Sequence, residues 1–275
     1  MQSDEFSTIL NYIAKKSIME IDLPQYVVVF DLETIPDLEA VSRINGLAEH
    51  DDAVAEGIVG EKFPKLPLHK IACIGAVIAE RLDDHWAIRS LEAPHMGERS
   101  EADLISAFSE RLQSLRPTLV SFNGQGFDLP VLRYRAMVNS IPAPGLHARA
   151  YFKRYDESAI DLCDVLSSFG PSKVKLDELC RVLGLAGKPD GVDGGEVAAF
   201  VKAGRIAEVA AYCETDVVNT YRVWLRHELF RGGLKPDEFR RSEAALADFI
   251  RARLVEKPHL AFLIDDLDRA RQTDC

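Results

Sequence analysis

The stretch Tyr26 to Thr34 reads Tyr-Val-Val-Val-Phe-Asp-Leu-Glu-Thr. A continuous apolar run rich in β-branched residues predicts a strand buried on both faces. The run ends in Asp31 and Glu33, and side chains two apart on a strand share a face. Both carboxylates are therefore expected to project together from the end of a core strand. Like charges so placed repel unless a cation lies between them, and hard divalent metals take oxygen ligands. The alternative is that the two acids simply open a solvated loop.

The bulk numbers exclude several classes. At 275 residues the chain has room for one large α/β domain or two small ones. Its net charge of -11 argues against coating long nucleic acid by charge attraction. A nuclease gripping a strand end remains open, because metals neutralise an acidic centre. Five scattered cysteines with no Cys-x-x-Cys fit a reducing cytoplasm, not a disulfide framework or a zinc site. The acidic start and the lack of a long apolar run predict no signal peptide and no membrane span.

Along the chain, residues 1–24 read as a polar helix and lead-in. About 40–69 reads as an irregular insertion, either a binding loop or lid or a surface excursion without function. Two more strands follow, at Lys70–Glu80 and Trp86–Leu91, with Asp83-Asp84 as a hairpin turn. Ser100 to Asp103 is a variant capping box for a helix ending before Pro117. Thr118–Phe122 is a fourth strand. Helices are expected at about 128–140, 174–184, 194–203 and 205–230, then Glu238–Val255 and Leu260–Arg271. The order predicts an α/β protein with a mixed sheet flanked by helices. No glycine-rich phosphate fingerprint follows the first strand, which counts against dinucleotide or P-loop chemistry.

Two further acidic clusters follow strand ends or lie on a helix. The fourth strand runs into Asn123-Gly-Gln-Gly-Phe-Asp128-Leu-Pro, where Asp128 is either a helix N-cap or a catalytic group at a strand end. Tyr212 and Asp216 are four apart on a helix and share a face. Val209, Val217, Val218, Tyr221 and Leu225 supply its core side, and Glu214 is read as a solvated charge.

Asp31-Leu-Glu33, Asn123-Gly-x-x-Phe-Asp128 and Tyr212-x-x-x-Asp216 together resemble the three motifs of the DEDD superfamily of 3'–5' exonucleases, tyrosine subgroup. The stretches Lys188-Pro-Asp-Gly191 to Gly204-Arg-Ile206 and Thr215 to Tyr221 are similar to stand-alone relatives of the exonuclease domain of family B DNA polymerases. The resemblance covers roughly residues 25–231, with 1–24 as lead-in and 232–275 as a helical extension packed on the domain. It implies a ribonuclease H-like fold and metal-dependent 3'–5' exonuclease activity releasing nucleoside 5'-monophosphates. The implied substrate is the 3' end of single-stranded DNA or a frayed duplex. RNA trimming, or end binding without catalysis, are the alternatives, and a replication or repair protein is left open as a partner.

By that pattern Asp31 bridges two ions, Glu33 and Asp216 complete the first, and Asp128 holds the second through water. An all-carboxylate set favours Mg2+ or Mn2+ over zinc. Tyr212 orients the attacking water, since a phenol's high pKa suits positioning and not proton abstraction. Leu32, Thr34, Asn123, Phe127 and Lys188 are the expected substrate contacts. Leu32, Phe122 and Phe127 are candidates for wedging terminal bases, although Phe122 suits the core better. Arg133, Arg135, Lys173, Lys175 and Lys188 are candidates for a basic rim.

Overall fold

The computed structural model describes residues 25–47, 52–60, 63–188 and 194–272. The expected helix within 1–24 and residues 189–191 of the Lys188–Gly191 stretch lie outside the described residues. Among the described residues five strands form one sheet: β1 (Tyr26–Pro36), β2 (His69–Arg81), β3 (Trp86–Glu92), β4 (Thr118–Ser121) and β5 (Ala159–Asp161), in the order β3-β2-β1-β4-β5. β2 runs antiparallel to both β1 and β3, whereas β4 lies parallel to β1 and to β5. This is the mixed, helix-flanked sheet expected of a ribonuclease H-like domain. The β2–β3 hairpin closes as read, with Leu82 N–H donating to His85 O at 2.9 Å.

The helices are α1 (Leu38–Ile44), α2 (Asp52–Val59), α3 (Glu101–Leu115), α4 (Asp128–Val138), α5 (Leu162–Leu166), α6 (Leu176–Val182), α7 (Val197–Lys202), α8 (Ile206–Phe230), α9 (Pro236–Arg251) and α10 (Ala261–Gln272). The described part of the stretch expected as an irregular insertion at 40–69 is instead largely helical. It carries α1, α2 and a 3-10 turn at Leu66–Leu68. Asp37 caps α1 by accepting from Ala40 N–H, a start signal masked by the prolines and glycines farther on. Two short elements, β5 and α5, escaped the sequence reading because three to five residues are too few to display a period.

Alternation along β1 divides the core. Val28, Phe30 and Leu32 join the cluster beneath α3 and α4, with Leu104, Ile105, Leu129 and Leu132. Val27 and Val29 join the opposite cluster with Val217, Val218, Tyr221 and Trp224 of α8. Asp31 and Glu33 continue the second series, so they emerge beneath α8. The core side expected for that helix is correct: Val209, Val217, Val218, Tyr221 and Leu225 are all fully buried.

Helices α9 and α10 cover the outer side of α8 and reach β3. Ser242 Oγ accepts from Trp86 N–H at 3.0 Å, and the Trp86 and Trp224 rings meet edge-on, 5.1 Å apart. The fully buried Arg222 donates to Glu243 and Asp266. Glu214 corrects the sequence reading. It is buried, accepting from Lys257 and paired with His259 at 2.8 Å. Only tertiary packing reveals this, because α8 is covered on both sides. Among the described residues, no helix is long and apolar enough to cross a membrane.

Candidate active site

β1 pairs with β4 only from Val27 to Val29, so among the described residues the carboxyl half of β1 has no strand on that side. Past that point the chain of β4 turns away, leaving a crevice at the strand ends. Asp128 fills the missing ladder position: its Oδ1 accepts from Leu32 N–H at 2.9 Å. This corrects the capping alternative. Phe127 occupies the N-cap, and no side chain caps α4. The carboxylate spans 96 residues to hold β1 instead.

The turn before Asp128 is built for this reach. Asn123 takes the positive backbone angle, φ 73°. Gly124 is required for space, since a Cβ there would lie 2.4 Å from Ser121 Oγ and 3.3 Å from Asp128 Oδ2. Asp161, at the end of β5, accepts from the N–H groups of Asn123 at 2.7 Å and Gln125 at 3.0 Å. Asp161 was missed in the sequence because its strand is so short. Its signal is the apolar-apolar-Asp ending shared with β1.

From the other side, α8 approaches β2 closely enough that a Cβ on Gly75 would meet Cys213 Sγ at 2.5 Å. Gly75 sits opposite Asp31 in the β1–β2 register. The close crossing brings Tyr212, Cys213 and Asp216 over the acids. Oxygens of Asp31 and Glu33 and the Sγ of Cys213 all lie within 4.8 Å of one another. A hydrogen bond with Cys73, then burial, push the Cys213 thiol well up, so it stays protonated.

The four acids are held far from their ordinary behaviour. Burial, then the charges of Asp128 and Asp216, push Asp31 well up. Burial, then Asp31, do the same to Glu33. Burial raises Asp128 to about 7 against the opposing Leu32 N–H bond. Burial also raises Asp216, although the neighbouring Lys188 opposes it. Tyr212 is pushed up by burial and by the Asp216 charge, which keeps its phenol protonated.

Lys188 is the cation among these acids. Its Nζ donates to Asp216 Oδ2 at 2.8 Å and to the Tyr212 hydroxyl. The backbone fixes its position: Asp177 Oδ1 accepts from Lys188 N–H at 2.8 Å, and Asn219 Nδ2 donates to Gly187 O at 2.7 Å. Among the described residues, Asp216 Oδ1 is buried without a hydrogen-bond partner. Among the described residues one lysine against four carboxylates, with a buried oxygen left over, fits a hard divalent cation with oxygen ligands. Asp31, Glu33, Asp128 and Asp216 are the residues that could hold it.

The other expected contacts divide. Thr34 Oγ1 bonds His69 Nδ1 at 2.9 Å beside the acids. Asn123 is exposed at the crevice, its Oδ1 accepting from Lys173 at 3.0 Å. Phe127 is half-buried there. Leu32 is not a wedge: it points away from Asp31 and Glu33 into the core, and contributes its backbone N–H. Phe122 packs against the core, as expected. Nor does Arg135 belong to a basic rim. It is buried, bidentate on Glu101 at 2.7–2.8 Å and paired with Asp37. Arg133 lies over the Phe152 ring, 3.9 Å from its centre.

Residues 61–265 match a family described as predicted 3'–5' exonucleases related to the exonuclease domain of PolB. The match takes in Asp128, Lys188, Tyr212 and Asp216 and begins after Asp31 and Glu33. No curated protein matches in sequence. Among solved structures, the family B DNA polymerase from the hyperthermophilic archaeon Pyrobaculum calidifontis shares 18% identity over 75% of this chain and 25% of its own, with TM-score 0.49. E. coli Exonuclease I in complex with a 5cy-dT13 oligonucleotide shares 17% identity over 82% of this chain and 45% of its own, with TM-score 0.36. The chain thus spans less than half of either protein, and at these values neither likeness carries weight for the site. The family match covers well over half of the chain, and on that ground the chain belongs to the family of predicted 3'–5' exonucleases related to the exonuclease domain of PolB.

Proposed function

We propose that the protein is a metal-dependent 3'–5' exonuclease of the tyrosine-bearing DEDD type, removing nucleoside 5'-monophosphates from single-stranded DNA or frayed ends. The observation that carries this reading is the convergence of Asp31, Glu33, Asp128 and Asp216 at the open end of β1, with Lys188 the one lysine bonded to them among the described residues. A scaffold has no use for a buried cluster of unbalanced carboxylates, which costs stability.

The four acids would hold two divalent ions, Mg2+ or Mn2+, which supply neutralisation of charge on the phosphate and a more acidic water at neutral pH. The Tyr212 hydroxyl, kept protonated, orients the attacking water by hydrogen bonding. Lys188 fixes that hydroxyl and places a positive charge beside the reacting phosphate. Water adds to phosphorus as the bond to the 3' oxygen breaks. The leaving oxygen takes a proton, and the phosphate departs on the released nucleotide. Asn123 and Thr34 line the mouth where the terminal sugar and phosphate enter.

The test uses 5'-labelled DNA and RNA single strands of equal sequence, with Mg2+ or Mn2+, for the wild type and Asp31→Ala. A ladder shortening from the 3' end, absent in the variant, supports the reading and reports the preferred sugar. Strands that stay intact with every metal, yet are bound, favour an adaptor that recognises ends.

A further inference from the structure

A second cavity, of about 530 Å³, lies at the end of the sheet away from the acids. Its walls include Tyr26 at the start of β1, Thr118 at the start of β4, Ala159 at the start of β5 and Trp224 of α8. An extended strand covers about 17 Å from Tyr26 to Asp31, so this cavity is separate from the carboxylate cluster. Its volume falls in the range of roughly 300–1,000 Å³ that takes small organic ligands.

Two arginines in its wall, Arg116 and Arg149, have no ion pair among the described residues. Arg116 is exposed, and Arg149 donates to the neutral Thr118 hydroxyl at 3.2 Å. Burial pushes the nearby Tyr151 phenol up to about 12, and the charges of Arg149 and Arg116 both oppose that rise, so both lie close to it. The other lining arginines are committed, Arg154 to Asp164 and Arg231 to Glu228. Of the lining acids, Glu228 is thus taken up by Arg231, Asp156 accepts from Ser158 N–H at 2.9 Å, and Glu157 is exposed.

The aromatic part of the wall is built in advance. Tyr155 is 76% exposed, yet its ring meets Phe169 edge-on, with centres 4.8 Å apart. Arg154, next to Tyr155, is bidentate on Asp164 at 2.6 and 2.8 Å, and Asp164 O accepts from Phe169 N–H at 2.7 Å. That chain of bonds fixes the two rings together, and a pre-organised surface loses little entropy when a ligand covers it. Arg116 and Phe169 also sit at φ 46° and 60°, in the left-handed region where glycine is the usual residue. Backbone strain of this kind persists where the side chain is needed in that place.

We propose that this cavity is a second, non-catalytic site for a nucleoside 5'-monophosphate. The base packs against Tyr155 and Phe169, and the phosphate is held by Arg116 and Arg149, whose guanidinium groups suit a phosphate's oxygens. Ring faces accept any base, so the site takes the class and not one member of it. The choice of nucleotide rests on the exonuclease reading, which makes this ligand the reaction's product.

The test is titration calorimetry of the full chain with 5'-dAMP in EDTA, which leaves the acids no metal to bridge to phosphate. One molecule should bind, with deoxyadenosine and inorganic phosphate each weaker by about tenfold or more. Arg116→Glu and Tyr155→Ala should each weaken 5'-dAMP by about tenfold, while Asp31→Asn binds it as the wild type does. Both substituted side chains are exposed, so the core is left intact. In the absence of nucleotide, Arg116→Glu should cut a single strand at the wild-type rate. No binding to the full chain, binding that neither variant weakens, or binding lost in Asp31→Asn overturns the site. So does a loss of cutting in Arg116→Glu, which would put Arg116 on the substrate path. A wild type that cuts no strand defeats the exonuclease reading instead, and the calorimetry still decides the site.

Discussion

Two buried charge clusters in this protein contrast sharply. On the far side of the sheet from α8, Arg135 pairs with Glu101 and Asp37. Its acids are further satisfied by Ile71 N–H, Asn139 and Ala40 N–H. Burial opposes the charge on Asp37, but the Ala40 bond and Arg135 hold its carboxyl below the ordinary range. At the end of β1 four acids are all raised, and among the described residues Lys188 on Asp216 is the cation bonded to them and Asp216 Oδ1 has no partner. The first cluster is closed and structural. The second is short of positive charge, and that shortage is the reason it is proposed as a site for divalent cations.

Breaking the closed cluster should produce the largest effect. Arg135→Met leaves Glu101 and Asp37 buried and unpaired, and is expected to cost about 3–5 kcal/mol of stability in denaturant unfolding. Activity per folded molecule should persist. Removing an acid from the open cluster should do the reverse. Asp31→Asn is expected to lower the exonuclease rate at least about 100-fold, since even outer partners of a metal site are worth that much. Its metal-free melting temperature should stay level or rise, because repulsion is relieved.

Metal addition sharpens the contrast. At a hundredfold excess over Kd, Mn2+ or Mg2+ should stabilise the wild type by about 2.7 kcal/mol, and Asp31→Asn by clearly less. The pH dependence should follow from the raised acids. Asp128 binds its proton more tightly folded, at about 7, than unfolded, at 3.8. Its contribution is therefore full below about pH 4 and is lost as pH rises through about 7. Asp31 and Glu33, also raised by burial, act in the same sense. Metal-free protein should melt at lower temperature as pH climbs through this range, and saturating metal should flatten the profile. Asp37 works in the opposite sense, contributing at neutral pH and losing that contribution in acid.

The smallest expected effect is at the crevice edge. Lys173 is committed to Asp164 and Asn123, whereas Lys175 is exposed. Lys175→Glu should shift stability by no more than about 0.5 kcal/mol. If Lys175 meets the incoming backbone, the salt slope of single-strand binding should fall by about 0.7.

Much of the site was legible because it rests on short-range rules. Strand alternation placed Asp31 and Glu33 together, and helical spacing placed Tyr212 and Asp216 on one face. The sequence also marked Asp128, but its role as a substitute for a missing strand bond depends on a partner 96 residues away. Lys188 was read as a substrate contact and as part of a basic rim. Its seat on Asp216 requires α6 and α8 to be in place. Glu214 and Arg135 misled for the same reason: a charged side chain looks solvated until its distant partners are known.

By itself, then, the chain dictated its central strand, its helical faces and its acids, because those follow from periods of two and 3.6. Tertiary structure decided which charges are balanced. The pairing of Arg135, the burial of Glu214, the approach of Cys213 over Gly75 and the bond between Thr34 and His69 all join residues far apart in sequence. Charge balance in a low-dielectric interior is a property of neighbours in space, and no local pattern carries it.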